Sequence, residues 1–109
     1  MPRFTVRVEL HEYSGNKPDY DDYERLHVAM QQSGYYRVIK SDEDKWYHMP
    51  NATYTAELSK TTAGVRDEAS GIVKMVWQRA GTFVTKADDN RHWQGLIPAS
   101  NQDVLKYTA

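Results

Sequence analysis

The sequence predicts an α+β domain with the element order β-α-β-β-α-β, a sandwich of one four-stranded antiparallel sheet and two helices on a single face. Three observations predict it. From Arg3 to His11, apolar Phe4, Val6, Val8 and Leu10 alternate strictly with Arg3, Thr5, Arg7, Glu9 and His11. Two later stretches repeat apolar residues at helical spacing, and stretches rich in aromatic and β-branched residues follow each of them. A strand with one apolar and one ionisable face belongs in a sheet that carries helices on one side and leaves the other side open.

The elements follow in order. Ser14 to Asp19 (SGNKPD) has turn chemistry, and Asp19 is placed to cap a helix over Tyr20 to Ser33 that ends at Gly34. Asp21, Asp22 and Glu24 sit where the helix dipole favours negative charge. The apolar stripe of this helix is Tyr23, Leu26 and Met30, with Tyr20 and His27 at its border. Tyr35 to Lys40 reads as a second strand, Ser41 to Asp44 as a charged turn, and Lys45 to Met49 as an extension of the hairpin before Pro50. Asn51 to Ser59 resumes the alternation with Ala52, Tyr54, Ala56 and Leu58 in phase.

Val65, Ala69, Ile72, Val73, Val76, Trp77 and Ala80 give the strongest helical pattern, with Thr61 or Thr62 as cap and Gly81 as its expected end. Thr82 to Ala87 is the expected last strand. Beyond it, Trp93, Leu96 and Ile97 form a small apolar anchor expected to dock as an edge strand or on a partner subunit. The last ten residues are expected to be mobile. The expected division is thus one domain over residues 1–97 and a polar tail over 98–109. This element order is that of the ferredoxin-like split βαβ arrangement, which hosts many functions and names none of them.

Composition narrows the function. The chain has 109 residues, 39% hydrophobic and 27% charged, with a net charge of −1. One domain fits that length. A balance so near zero excludes a global basic field, so nucleic-acid binding would rest on a local patch. The absence of cysteine excludes a disulfide framework, a zinc-thiolate site and a thiol nucleophile. No apolar run approaches the roughly 18 residues of a membrane span, and the start passes directly into a strand, so a cytoplasmic location and no membrane partner are expected. Without a glycine-rich phosphate loop, HExxH or GxSxG, neither nucleotide hydrolysis, zinc proteolysis nor serine hydrolysis is expected, and no cofactor is.

Candidate chemistry lies in two places. On the open face Arg3 and Arg7 come from the first strand, Arg37 joins if its register matches, and Thr53, Thr55 and Glu57 come from the third. Arginines and hydroxyls on a sheet suit phosphate, and nearby tyrosines suit bases. The plainer alternative is a solvated face with cross-strand ion pairs such as Arg7 with Glu57. His27 has the pKa of a general acid or base for RNA transesterification, or else is a boundary residue bonded to a backbone carbonyl. His11, His48 and His92 are weaker candidates of the same kind. The carboxylates of residues 19–24 and 42–44 are accounted for by capping and turn formation, so no metal site is expected.

RFTVRVELH at the start, DYERLHVAM in the first helix, GYYRVIKSDED and YHMPNATY together resemble the small bacterial proteins grouped with the GhoS antitoxin family, over about the first 95 residues. The resemblance implies a ferredoxin-like fold similar to that of small CRISPR-associated nucleases, an endoribonuclease activity of antitoxin type, RNA as partner and a homodimer. In that reading messenger RNA is cleaved without metal, His27 is the catalytic acid or base, and Arg7, Arg25 and Arg37 hold phosphate; no DNA partner is expected. The competing reading is a non-catalytic interaction domain that regulates a partner protein through its sheet or its edge strand.

Overall fold

The computed structural model describes residues 1–87 and 91–108. Strand β1 (Arg3–Leu10) lies at the centre of a three-stranded antiparallel sheet, with β4 (Thr53–Glu57) on one side and β5 (Ala80–Ala87) on the other. Its apolar phase is buried as the alternation requires: Phe4 and Val6 are fully enclosed, and Val8 and Leu10 nearly so. Helices α1 (Tyr20–Gln31) and α2 (Thr62–Val76) cover that face. Leu26 and Met30 of α1 and Val65, Ala69 and Val73 of α2 close the core on the strand, joined by Tyr35, Tyr54 and Ala56.

Local chemistry sets the helix ends. Asp19 accepts the Asp22 amide at 2.9 Å and the Asp22 carboxylate accepts the Asp19 amide at 2.9 Å, a reciprocal capping box. Part of the acidic cluster of residues 19–24 is thereby spent on the backbone. Gly34, with φ +91, takes the left-handed turn beyond the helix. Thr61 caps α2 through the Gly64 amide.

The end of α2 differs from the sequence expectation. The helix stops at Val76; Ala80 and Gly81 belong to β5, opposite Leu10 and Glu9, so Gly81 does not close the helix. Trp77 forces the early turn: its indole N–H donates to the His11 carbonyl at 2.7 Å and its ring meets Tyr13 edge-on. That tether swings the chain back to β1.

The second stretch differs as well. Only Val38–Lys40 is a strand (β2), paired with β3 (Trp46–His48) across a turn in which Ser41 N–H donates to Lys45 O. This hairpin joins the main sheet at a single bridge, where Tyr36 and Thr55 exchange amide hydrogen bonds of 2.8 Å. The antiparallel sheet therefore has three full strands, with a two-stranded sheet beside it. Ile97 to Ala99 lie along the free edge of β3: Ile97 O accepts from His48 N–H and Ala99 N–H donates to Trp46 O. The docking expected of Trp93 to Ile97 is met on this edge only at Ile97; the pairing continues through Pro98 and Ala99, in the stretch expected to be a polar tail. The residues expected to be mobile instead form helix α3 (Asn101–Thr108), which packs on α1 and β2 although none of its residues is buried. No helix of the described residues is long and apolar enough to cross a membrane.

Candidate nucleic-acid interface

Where the hairpin leans against the β4 edge, a cleft of about 700 Å³ opens. Arg3 and Thr55 reach it from the sheet, Tyr36 from the bridge, Trp46 and Tyr47 from β3, and Arg91 and Trp93 from the segment after β5. The cleft exists because the hairpin leaves the sheet after one bridge and the C-terminal segment returns along β3. Tyr47 and Trp93 meet edge to face with centroids 5.7 Å apart, which holds both rings at the wall.

Arg91 is the unusual group. Its Nε and Nη2 are enclosed and, like Arg37 Nε, have no hydrogen-bond partner among the described residues. Burial, and then the neighbouring Arg3 guanidinium, hold Arg91 below the usual guanidinium range, while Glu57 opposes them. Arg3 and Glu57 are cross-strand partners in the β1–β4 register. Arg3 and Glu57 therefore act on Arg91 in opposite senses. Enclosed N–H groups without acceptors cost free energy, and Arg91 also lines the cleft, where an anion would meet the accessible side of its guanidinium. Lys40, Asp42 and Glu43 stand at the rim, so the cleft has mixed charge and is not a basic channel.

The nominated residues separate into three places. Arg7 is exposed on the open face, opposite Thr53 and Phe83. The expected Arg7 pairing with Glu57 does not form, because the register gives Glu57 to Arg3. Arg25 lies on the outer side of α1 and is bound by Asp22, one helical turn away. It has no access to the sheet.

His27 and Arg37 come together, but on the helix side. The imidazole Nδ1 is 2.7 Å from the Tyr54 hydroxyl, and Arg37 Cζ lies 5.9 Å from the Tyr54 ring centroid. Arg37 Nη1 donates to the carbonyls of Pro50 (2.7 Å) and Thr53 (2.8 Å), so Arg37 ties the irregular turn before β4 and does not join Arg7. Tyr107 of α3 stands between His27 and His48, with centroid distances of 6.3 and 6.1 Å. His48 Nε2 meets the Asp103 carboxylate at 3.1 Å, and Lys106 reaches Glu24 at 3.8 Å.

Under this cover His27 is only 9% exposed, and its pKa falls to about 4. Burial is the main cause and Arg37 the second; Glu24 opposes them. His27 is therefore neutral near pH 7 and engaged with Tyr54. In this position it links α1 to β4 through Tyr54 and lies beneath Tyr107.

Sequence reasoning missed the placement of Arg91 and Tyr36 in the cleft and the contact of Trp93 with Tyr47. A signal was present in RHW (Arg91 to Trp93) and WYH (Trp46 to His48), where basic and aromatic residues interleave. No protein-family model, no curated protein and no solved structure matches the chain.

Proposed function

We propose that this protein binds single-stranded RNA in the cleft between β4 and the β2–β3 hairpin, as an antitoxin-type regulator. The observation that carries the reading is Arg91, which lines a cavity walled by Tyr36, Trp46, Tyr47 and Trp93 and whose Nε and Nη2 meet no acceptor among the described residues. Arginine supplies donors in the geometry of a phosphate, and every base has a face to lay on an aromatic ring. The walls suit an unstacked strand, since a duplex offers no free base faces.

The same reading takes the sheet as ferredoxin-like, with the Tyr36–Thr55 bridge as the remnant of the fourth strand's pairing with β4; the central position of β1 and the two helices on one face support it. Binding has more support than cleavage. The residue nominated for acid–base work is neutral, enclosed and hydrogen-bonded to Tyr54.

The test is a fluorescence-anisotropy titration of a labelled, mixed-sequence single-stranded RNA against purified protein at low salt, with EDTA present and the RNA checked for integrity afterwards. Saturable binding with intact RNA is expected. RNA cut in EDTA would restore the metal-free endoribonuclease, and no binding at low salt would overturn the reading in favour of the protein-interaction domain.

A further inference from the structure

Phe83 lies in the middle of β5 with 67% of its surface exposed, on the face that the helices leave open. Its cross-strand partner is Arg7, and the next row in the same register and phase is Thr85, Thr5 and Thr55. The row after that is Ala87, Arg3 and Glu57, and Arg3, Thr55 and Glu57 are themselves part of the cleft wall. The open face and the cleft thus share Arg3, Thr55 and Glu57.

We infer that this surface is a track for a single RNA strand, in which Phe83 stacks a base and Arg7 contacts phosphate beyond the nucleotide held at Arg91. The inference rests on the RNA reading of the cleft and extends it to a second subsite. Strands lie about 4.8 Å apart, so Phe83 on β5 is roughly 10 Å across the sheet from β4. A mononucleotide anchored at Arg91 does not span that gap, whereas a short oligonucleotide does.

Composition favours a nucleic-acid strand over a protein surface as occupant. The open-face neighbours of Phe83 are Gly81 and Thr85 on its own strand and Thr5, Arg7 and Glu9 on β1, so the ring has no apolar company. A protein interface of useful strength needs a contiguous apolar centre. A lone aromatic ring beside an arginine and a row of hydroxyls provides the parts that a nucleotide uses: a stacking surface, a cation and neutral donors.

Adenosine monophosphate and an octa-adenylate RNA, each titrated against wild type, Phe83→Ala and Arg91→Ala, test this. Phe83 is exposed, so its truncation leaves the core intact. In wild type the octamer binds more tightly than the mononucleotide. Phe83→Ala is expected to reduce that octamer-to-mononucleotide advantage at least about fivefold, the low end for loss of one stacked base. Arg91→Ala is expected to weaken both ligands and keep the advantage. An unchanged advantage in Phe83→Ala, or a change of oligomeric state in sedimentation with no change in RNA binding, overturns the track. Failure of wild type to bind either ligand overturns the cleft reading as well.

Discussion

His27 Nδ1 and the Tyr54 hydroxyl, 2.7 Å apart, join the middle of α1 to the middle of β4 inside the protein. The imidazole is held in its neutral form there, with pKa lowered from 6.5 to about 4. The unfolded chain takes up a proton at this residue between those two values and the folded protein does not. Stability from this source is complete above pH 6.5 and drains away as pH falls toward 4, by about 3 kcal/mol at most. Urea unfolding at pH 7 and pH 4.5 measures it. Carboxylates add their own acid dependence, so the diagnostic quantity is the difference from His27→Gln, which is expected to lose less stability over the same interval.

Tyr54→Phe removes the hydroxyl and leaves an imidazole nitrogen buried without a partner. A loss of about 1–3 kcal/mol is expected in urea unfolding, the cost of an unsatisfied buried polar group. His27→Gln combined with Tyr54→Phe should cost less than the sum of the two single changes, because the pair is in direct contact.

Tyr107 covers His27 from a helix that itself buries nothing. Tyr107→Ala is expected to admit water to the imidazole and raise the His27 pKa from about 4 toward 6.5, because burial is the leading cause of the depression. Global stability should change much less than it does for Leu26→Ala in the core, where a loss of about 2–5 kcal/mol is expected. NMR titration of the imidazole C–H resonances reads the first effect and urea unfolding the second.

These expectations show which parts of the molecule were legible in the sequence. The alternation of Arg3 to Leu10 and the spacing of Val65, Ala69 and Val73 are local patterns, and each predicted the face that is buried. The Asp19 cap was legible for the same reason. Ala80 and Gly81 carry no strand preference of their own; they are strand because Trp77 is tethered to the His11 carbonyl and brings them beside β1. Helix α3 did carry local signals, the reciprocal Ser100–Asp103 cap and a half-buried side of Asp103, Val104, Tyr107 and Thr108, but the anchors that hold it, His27, His48 and Glu24, are all distant in sequence. The candidate site was hidden in the same way. Arg37 looked available for phosphate but is engaged by the Pro50 and Thr53 carbonyls, while Arg91, unremarkable in a polar segment, is enclosed by a fold-back onto the β1–β4 edge.

The helix caps offer a further check. Thr61→Ala removes the acceptor of the Gly64 amide and is expected to destabilise the protein by about 1 kcal/mol. Thr61 is exposed and is not among the residues that line the cleft, so RNA affinity at a temperature where the variant is folded should match wild type. Thermal unfolding and an anisotropy titration on the same preparation measure both.

The role of Arg91 is tested most directly by the salt dependence of single-stranded RNA binding, wild type against Arg91→Ala. Each phosphate contact contributes a slope of about −0.7 to a plot of log K against log salt. With Arg7 and Arg91 engaged, wild type is expected at about −1.4, and Arg91→Ala is expected to bind more weakly with a slope shallower by about 0.7. Equal affinity and equal slope in the two proteins would contradict the assignment of Arg91 and of the cleft as the place where RNA is held.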